Sequence, residues 1–407
     1  MQAVEQITSP DWLTAPTTSA VLKAVSNAGG DIRIVGGAVR DLILGRPVGD
    51  LDMATTLPPD AVMAALEKAA IKAVATGLSH GTVTAIVAGR PYEITTLRAD
   101  IETDGRHAKV AFTNDWLTDA SRRDFTINAL YLDADGWLFD PFDGRHDAAA
   151  GRIRFIGDAG HRLGEDILRL LRFYRFHAGY GRGAADAAGR AACRAAAAGL
   201  RRLSGERLQA ELVKLLSAAG AAAVAADMAT DEIWPYLDLG GVDTDRLGHL
   251  INLERLENSD PIRRLAALCQ EPAAAAARLR LSNQQRRRLM AIGDAPPIDP
   301  GSTPKALRAA LYTLGRQTVI DRLMITQATS PGTTADYQSA RQFAAQWAIP
   351  ELPISGADIT ALGVAEGAMI GQLLRAVETW WGDHDFQPDH AACHRHLEGL
   401  LAANKVR

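Results

Sequence analysis

Asp50 and Asp52 flank Leu51 inside the stretch IRIVGGAVRDLILGRPVGDLDMATT, residues 32 to 56. Side chains alternate faces along a strand, so both carboxylates project to one side with their Cα atoms roughly 6.6 Å apart at ~3.3 Å per residue. Leu51 and Met53 then face a core. Two adjacent carboxylates repel each other unless a cation lies between them, and hard oxygen ligands suit Mg²⁺. This is the outline of a two-metal phosphoryl-transfer site, with Asp50 and Asp52 as catalytic metal ligands. Just upstream, Gly36 and Gly37 carry no Cβ, so backbone N–H groups can approach a triphosphate, and Arg40 follows about one helical turn later.

The elements around these residues must hold them in place. Residues 17 to 29 are predicted to form a helix with a Thr or Ser cap and a glycine stop, leading into a strand at Ile32 to Val35. A glycine turn, a short helix around DLIL and the strand bearing Asp50 and Asp52 come next. PPDAVMAALEKAA has prolines at a helix entrance and apolar residues Val62 and Leu66 at helical spacing. GTVTAIVAG and PYEITTLR alternate β-branched residues around an Ala88-Gly89-Arg90-Pro91 tip, which predicts a hairpin. Glu93 on its second strand is a candidate third carboxylate, with an exposed edge position as the alternative. Residues 99 to 115 are polar, aperiodic and contain Gly105, which predicts a long loop.

Further along, SRRDFTINAL carries Arg122 and Arg123, and GEDILRLLRFYRF carries Asp166 and Arg169. On one continuous helix, residues three apart lie about 60° apart around the axis and can act together. A carboxylate accepts from an exocyclic amine and a guanidinium donates to a ring nitrogen or carbonyl, so the pair could read a base edge. Arg172 and Arg175 drift by a further 60° at each step and take weaker roles.

The series GG-x-V-R-D, x-x-L-G, D-x-D, R-R-D-F-T-x-N-A and E-D-x-x-R resembles the nucleotidyltransferase superfamily typified by DNA polymerase beta. Within it, the likeness is to the branch holding class II CCA-adding tRNA nucleotidyltransferases and bacterial poly(A) polymerases. Specific motifs cover residues 32 to 215. The resemblance implies an α+β chain: a nucleotidyltransferase head with a mixed sheet at 1–150, a helical neck at 151–220, and a helical body and tail at 221–407. It implies Mg²⁺ as cofactor, CTP and ATP as substrates and the tRNA 3′ end as partner. It assigns triphosphate binding to Arg123 beside Gly37 and Arg40, with Arg122 as the alternative. Asp166 and Arg169 become a protein-side template for the base, with Arg172 and Arg175 nearby. The segment 99–115 corresponds to a loop implied in switching from C to A addition. The expected activity is template-independent addition of C, C and A to tRNA. The alternatives are poly(A) synthesis, partial addition of CC or A only, and, from a different class, an inactive RNA-binding protein.

At 407 residues, 47% of them hydrophobic, the chain can bury the core of two to four domains. Its net charge of −4 excludes a uniformly basic nucleic-acid coat. Residues 151–215, however, hold thirteen Lys or Arg against six Asp or Glu, a net of +7 that suits a local polyanion contact. RLRLSNQQRRR adds five arginines and no acid, a second candidate for RNA phosphate. The start MQAVEQITSPDW has no basic and apolar leader pattern, and no stretch offers ~20 uncharged apolar residues, so no membrane association and a cytoplasmic location are expected. Cys193, Cys269 and Cys393 are too few and too scattered for a disulfide framework. The His- and Cys-bearing tail, His384 to His396, lacks the two separated ligand pairs of a structural zinc site. Trp380 and Trp381 are expected to pack a C-terminal helix.

Overall fold

The computed structural model describes residues 1–104, 107–254, 259–293, 298–329, 334–365 and 367–405. They form two compact units, Met1–Thr244 with Ala274–Leu281, and Asp245–Ala273 with Ser282–Arg407.

The first unit begins with β1 (Ala3–Gln6), α1 (Asp11–Thr14), α2 (Pro16–Asn27), β2 (Ile32–Val35), α3 (Gly37–Ile43), β3 (Asp52–Thr55), α4 (Pro59–Lys68), β4 (Lys72–Gly77), β5 (Thr82–Val87) and β6 (Arg90–Thr96). It continues with β7 (Arg98–Asp104), β8 (His107–Phe112), α5 (Trp116–Ser121), β9 (Tyr131–Leu132), β10 (Trp137–Phe139) and α6 (Gly144–Ala150). Five helices follow: α7 (Ala159–Glu165), α8 (Leu168–Tyr180), α9 (Ala187–Ala196), α10 (Gly205–Ser217) and α11 (Ala221–Thr230). Eight strands make one sheet in the order β1-β10-β9-β2-β3-β6-β5-β4, in which β3 and β6 run parallel.

Both faces of the central strands are covered, which is why all four residues of β2 are buried. On one face Ile32, Ile34, Leu51, Met53 and Ile94 pack with Val21, Leu22 and Val25 of α2 and with Val62 and Leu66 of α4. On the other, Val35, Ala54 and Leu97 pack with Trp116, Tyr131 and Phe139. The β5–β6 hairpin closes through Ala88 and Gly89, both at positive φ, between the paired residues Val87 and Arg90, as the primed turn of a two-residue loop requires.

Three expectations change. The helix expected at 17–29 starts at Pro16, with Ala15 in the cap position and no side-chain cap; proline supplies the start instead, since its missing N–H is no loss in the first turn. The segment expected as a loop at 99–115 is an antiparallel ribbon, β7 against β8, followed by a helix start at Trp116. Its polar residues satisfy their backbone across the ribbon, which needs no hydrophobic alternation. Gly105 and Arg106 at its tip lie outside the described residues. Finally, the helix expected through GEDILRLLRFYRF is broken: α7 stops at Glu165, Asp166 is extended at φ −150° and ψ 106°, and α8 starts at Leu168.

The second unit is helical: α12 (Thr244–Glu254), α13 (Pro261–Leu268), α14 (Pro272–Arg278, running on into the first unit), α15 (Asn283–Gly293), α16 (Pro304–Leu314), α17 (Arg316–Thr329), α18 (Thr334–Gln346), α19 (Gly356–Ala361), α20 (Ala368–Asp383) and α21 (His390–Lys405). Buried ion pairs tie it together, with Glu254 taking Arg263 and Arg264, and Asp321 taking Arg263 and Arg288. Trp381 sits in a core with Val377, Cys393 and Leu397, as expected of a packed C-terminal helix. Trp380 stacks on His396 at 4.3 Å between ring centres. Among the described residues no group of three His, Cys, Asp or Glu is placed to hold a metal ion, the tail included. No described helix is long and apolar enough to cross a membrane.

The helices after the sheet have a polar anchor. Asp231 is buried and accepts from Tyr174 Oη at 2.7 Å, Arg190 Nε at 2.7 Å and Arg194 Nη1 at 2.9 Å. Burial pushes its carboxyl up, but these hydrogen bonds and charges outweigh burial and hold it below its ordinary value. A depressed carboxyl contributes stability that is complete above the unfolded value near ~3.9 and is lost as pH falls through the lower folded value. Asp231→Asn is therefore expected to lower unfolding stability by roughly 1 to 3 kcal/mol at pH 7, because a half-exposed Arg194 loses its partner and Arg190 keeps only Asp227. The deficit should shrink as the pH drops below ~3.9. Urea unfolding at pH 7 and pH 3 measures both.

Candidate active site

The site grows from the β2 to α3 turn. Gly36 has φ +73° and ψ −121°, a conformation that side-chain-bearing residues avoid, and it lets the chain turn from β2 straight into a helix starting at Gly37. A methyl group built on Gly36 would lie 3.6 Å from Arg123 Nη1, and one on Gly37 would lie 3.6 Å from Arg40 Nη2. The glycine turn is thus flanked by two guanidiniums, and its open backbone faces a cleft of about 460 Å³. Gly36, Gly37, Arg40, Asp52, Arg123, Asp124, Asn128, Asp166, Arg169, Arg172 and Phe176 line that cleft.

Asp52 opens β3, which pairs with β2 on one side and with β6 on the other. Asp50 precedes the strand rather than lying in it. The expected alternation still holds: Asp50 and Asp52 are exposed, whereas Leu51 and Met53 are buried. Glu93 lies directly beside Asp52 across the parallel β3–β6 pair, on an interior strand and not on an edge. Although Asp52 keeps surface open to the cleft, the protein around it pushes its carboxyl above the usual range, and the negative charges of Glu93 and Asp50 push the same way against Arg123. This is unbalanced negative charge carried by hard oxygen donors, and it fits a divalent cation. The carboxylates do not already close into a cage.

Behind each cationic group stands a carboxylate. Arg40 is buried; its Nε and Nη2 donate to Asp41 at 3.0 and 3.1 Å, Nη1 to Asn128 Oδ1 at 2.8 Å, and Nη2 also to Tyr180 Oη at 2.6 Å. Arg123 donates to Asp119 at 3.2 Å and to Tyr131 Oη at 3.1 Å. Asp119 is fully buried and also receives Arg122 at 2.6 Å; burial raises its carboxyl, yet Arg123 and Arg122 leave it below the ordinary value. Arg122 is thereby turned to the back of the site, and of the two it is Arg123 that lines the cleft. Arg172 pairs with Asp124 at 2.5 Å, and Asp124 in turn accepts from Asn128 Nδ2 at 2.9 Å.

Asp166 and Arg169 both reach the cleft, but not as a pair on one helix. The Asp166 carboxylate caps α8 by accepting from Leu168 N at 3.1 Å, and Arg207 of α10 donates to both of its oxygens at 2.9 and 2.8 Å. Arg169 instead pairs with Glu165 and donates to the carbonyls of Arg162 and Arg122. Arg175 is turned away from the cleft lining, 2.9 Å from Glu211 and stacked over Phe176 at 4.1 Å. Sequence reasoning missed Arg162, whose guanidinium binds Glu165 and the carbonyls of Arg122 and Arg123 and so fastens the α7–α8 junction to the end of α5. It also assigned no role to Asp124, Asn128, Arg207 or Glu211. Asp124 and Asn128 lie within the R-R-D-F-T-x-N-A series, which gave no role for them, and Arg207 and Glu211 stand four apart on an amphipathic helix, the spacing that puts them on one face.

Of the five arginines in RLRLSNQQRRR, three are held internally. Arg278 donates to the Leu203 carbonyl, Arg280 pairs with Glu206, and Arg288 pairs with Asp260 and Asp321. Arg286 and Arg287 are exposed.

Carboxylates on two interior strands, facing a glycine turn between guanidiniums, make the site of a nucleotidyltransferase head, a class of enzyme that works with divalent metal. Residues 32–154 match the family model of the poly(A) polymerase head domain. CCA tRNA nucleotidyltransferase 1, mitochondrial, of Danio rerio is 34% identical over 389 residues, covering 88% of this chain and 84% of that protein. The CCA-adding enzyme of Limosilactobacillus fermentum is 33% identical over 376 residues, covering 87% and 89%. The crystal structure of Bacillus stearothermophilus CCA-adding enzyme in complex with CTP aligns with a TM-score of 0.76 at 26% identity, over 98% of this chain and 99% of that one. The chain belongs to the family of CCA-adding tRNA nucleotidyltransferases.

The turn at Gly36 gives a direct test. Gly36→Ala must hold a Cβ in a backbone region L-residues rarely adopt, at a cost of about 1 to 3 kcal/mol. Weakened binding of CTP and ATP together, by titration calorimetry, and a matching loss in thermal unfolding are the expected results.

Proposed function

We propose that this chain adds C, C and A to the 3′ end of tRNA from CTP and ATP and releases pyrophosphate. The observation that carries this reading is one cleft that combines the carboxylate of Asp52 with the glycine turn, Arg40 and Arg123 on one side and Asp166 and Arg169 on the other. Relatives matched along their length are CCA-adding enzymes, and one of them is seen with CTP. Residues 1–150 serve as the catalytic head, 151–220 as the neck that reads the nucleotide, and 221–407 as body and tail for tRNA, where the exposed Arg286 and Arg287 suit phosphate contact.

Asp50 and Asp52 would hold the divalent cation, Mg²⁺, with Glu93 as a third carboxylate. Such an ion, when bound, acidifies the attacking hydroxyl and offsets charge on the leaving pyrophosphate. The RNA 3′ oxygen forms a bond to the α-phosphorus as the bond to the bridging oxygen of pyrophosphate breaks. Arg123 and the open N–H groups of the Gly36–Gly37 turn neutralise and orient the triphosphate, with Arg40 beneath them. Asp166 accepts from the exocyclic amine that cytosine and adenine share, and Arg169 donates to the ring; Arg172 and Arg175 support this edge from behind. Uracil and guanine present a carbonyl at that position, so Asp166 is left opposite an acceptor and selects against them. Three buried free cysteines, Cys193, Cys269 and Cys393, accord with a reducing compartment, and we place the chain in the cytoplasm.

The deciding assay is purified protein with tRNA lacking its terminus, offered CTP and ATP separately and together. CTP alone should give two additions, and CTP with ATP a third. Repeated A addition to any RNA would support poly(A) synthesis instead. Asp52→Ala should lower turnover by roughly a thousandfold or more while tRNA still binds, a loss of ~4 kcal/mol in transition-state stabilisation. Near-normal turnover in that variant would remove the metal assignment. With Asp166→Ala, preference for CTP and ATP over UTP and GTP should fall by about tenfold or more, the worth of one hydrogen bond in a closed site, while the KM for the triphosphates changes less. Unchanged selectivity would move base reading to other residues.

A further inference from the structure

Tyr180 is the last residue of α8, far in sequence from the glycine turn, and no motif discussed above contains it. Its ring nevertheless meets two arginines of the head: Arg40 at 4.0 Å and Arg46 at 4.5 Å from the ring centre. Its hydroxyl accepts from Arg40 Nη2 at 2.6 Å. Arg46 reaches further and donates from Nη1 to the carbonyl of Gly179 at 2.9 Å. The neck helix thus ends by gripping both ends of the segment that begins at Arg40 in α3 and runs toward Asp50.

The grip matters because of how Arg40 is held. Its guanidinium is buried and shared among Asp41, Asn128 and Tyr180. Asp41 is its immediate neighbour in sequence and takes two of its donors, and Asp41 is itself hydrogen-bonded by the Tyr180 hydroxyl. Asn128 and Tyr180 are the partners from elsewhere in the chain. A phenol stacked on a guanidinium and accepting from it orients the plane as well as the position, which a hydrogen bond alone does not. Arg46 is exposed and adds a second cation–π contact to the ring.

We propose that Tyr180 is a positioning residue for nucleotide binding. It fixes Arg40 against the Gly37 turn. The inference rests on the reading of Arg40 as a triphosphate ligand given above. It predicts an effect on CTP and ATP that is equal for both, since the triphosphate is common to them, and that leaves base selection and the KM for tRNA unchanged.

The test is a double-mutant cycle between Tyr180→Ala and Arg40→Met, with Tyr180→Phe as a second variant that keeps the ring and removes the hydroxyl. Steady-state kinetics are measured with CTP and with ATP on matching tRNA substrates. Tyr180→Ala should raise the nucleotide KM about tenfold, and Tyr180→Phe less, about threefold, because both ring contacts remain and Asp41 and Asn128 still hold the Arg40 guanidinium. In the Arg40→Met background, neither substitution should raise KM further. If Arg40→Met leaves the nucleotide KM unchanged, the triphosphate role of Arg40 fails and this inference fails with it. If Arg40→Met raises KM but the Tyr180 variants add the same increment in both backgrounds, the Arg40 reading stands and the positioning role alone is overturned. A rise in the tRNA KM, or a change in the CTP-to-ATP ratio, also overturns it. Should Tyr180→Ala fail to fold by circular dichroism, Tyr180→Phe in the two backgrounds decides by the same criterion.

Discussion

The first unit depends on the pairing of guanidiniums with buried carboxylates behind a cleft that must stay rich in positive charge. Arginines free to move would collapse onto Asp52 and Glu93 or swing into solvent. Here Asp119 draws back Arg122 and tethers Arg123, Asp124 holds Arg172, Glu165 holds Arg162 and Arg169, and Glu211 faces Arg175. Each pair lies mostly out of water, where removal of one partner is costly. The result is a set of donors oriented before any nucleotide arrives, and orientation in advance is what a site for a triphosphate needs.

The same logic ties the sheet to the helices that follow it. Arg162 reaches the carbonyls of Arg122 and Arg123, so the α7–α8 junction cannot shift without disturbing the end of α5. Asn128 joins Arg40 to Asp124, and Asp124 passes the connection to Arg172 on α8. A chain of hydrogen bonds therefore runs from Arg40 beside the glycine turn to α8, so both sides of the cleft share one polar frame. Packing alone would not give this; Phe125, Phe155, Phe173 and Phe176 fill the space behind it but fix no donor direction.

The break at Asp166 fixes its carboxylate from two sides. On a continuous helix its carboxylate would be one of many surface groups. In the extended conformation it caps α8 and takes Arg207, so its position is set by two separate elements. A carboxylate held from two elements keeps one direction, and the second partner from α10 supplies that constraint.

Much of this was legible in the residues themselves. The buried-exposed alternation from Asp50 to Met53, the hairpin through Ala88 and Gly89, the α4 helix, the glycine turn and the membership of Arg40, Arg123, Asp166 and Arg169 in one site all follow from local pattern and motif. Those features depend on neighbours within a few positions, where side-chain period and turn chemistry act directly. Tertiary structure alone decided that Glu93 lies beside Asp52, because strand register between β3 and β6 is set by the packing of both sheet faces. It also decided that Arg122 turns back to Asp119, that Asp166 leaves the helix for Arg207, that residues 98–104 pair with 107–112 as a ribbon, and that Tyr180 meets Arg40 across 140 positions. A charged residue in a sequence states what it can bind but not which of many opposite charges it will reach. That choice is made by the desolvation of each pair as the fold closes, a quantity that belongs to the whole structure and to no single stretch of it.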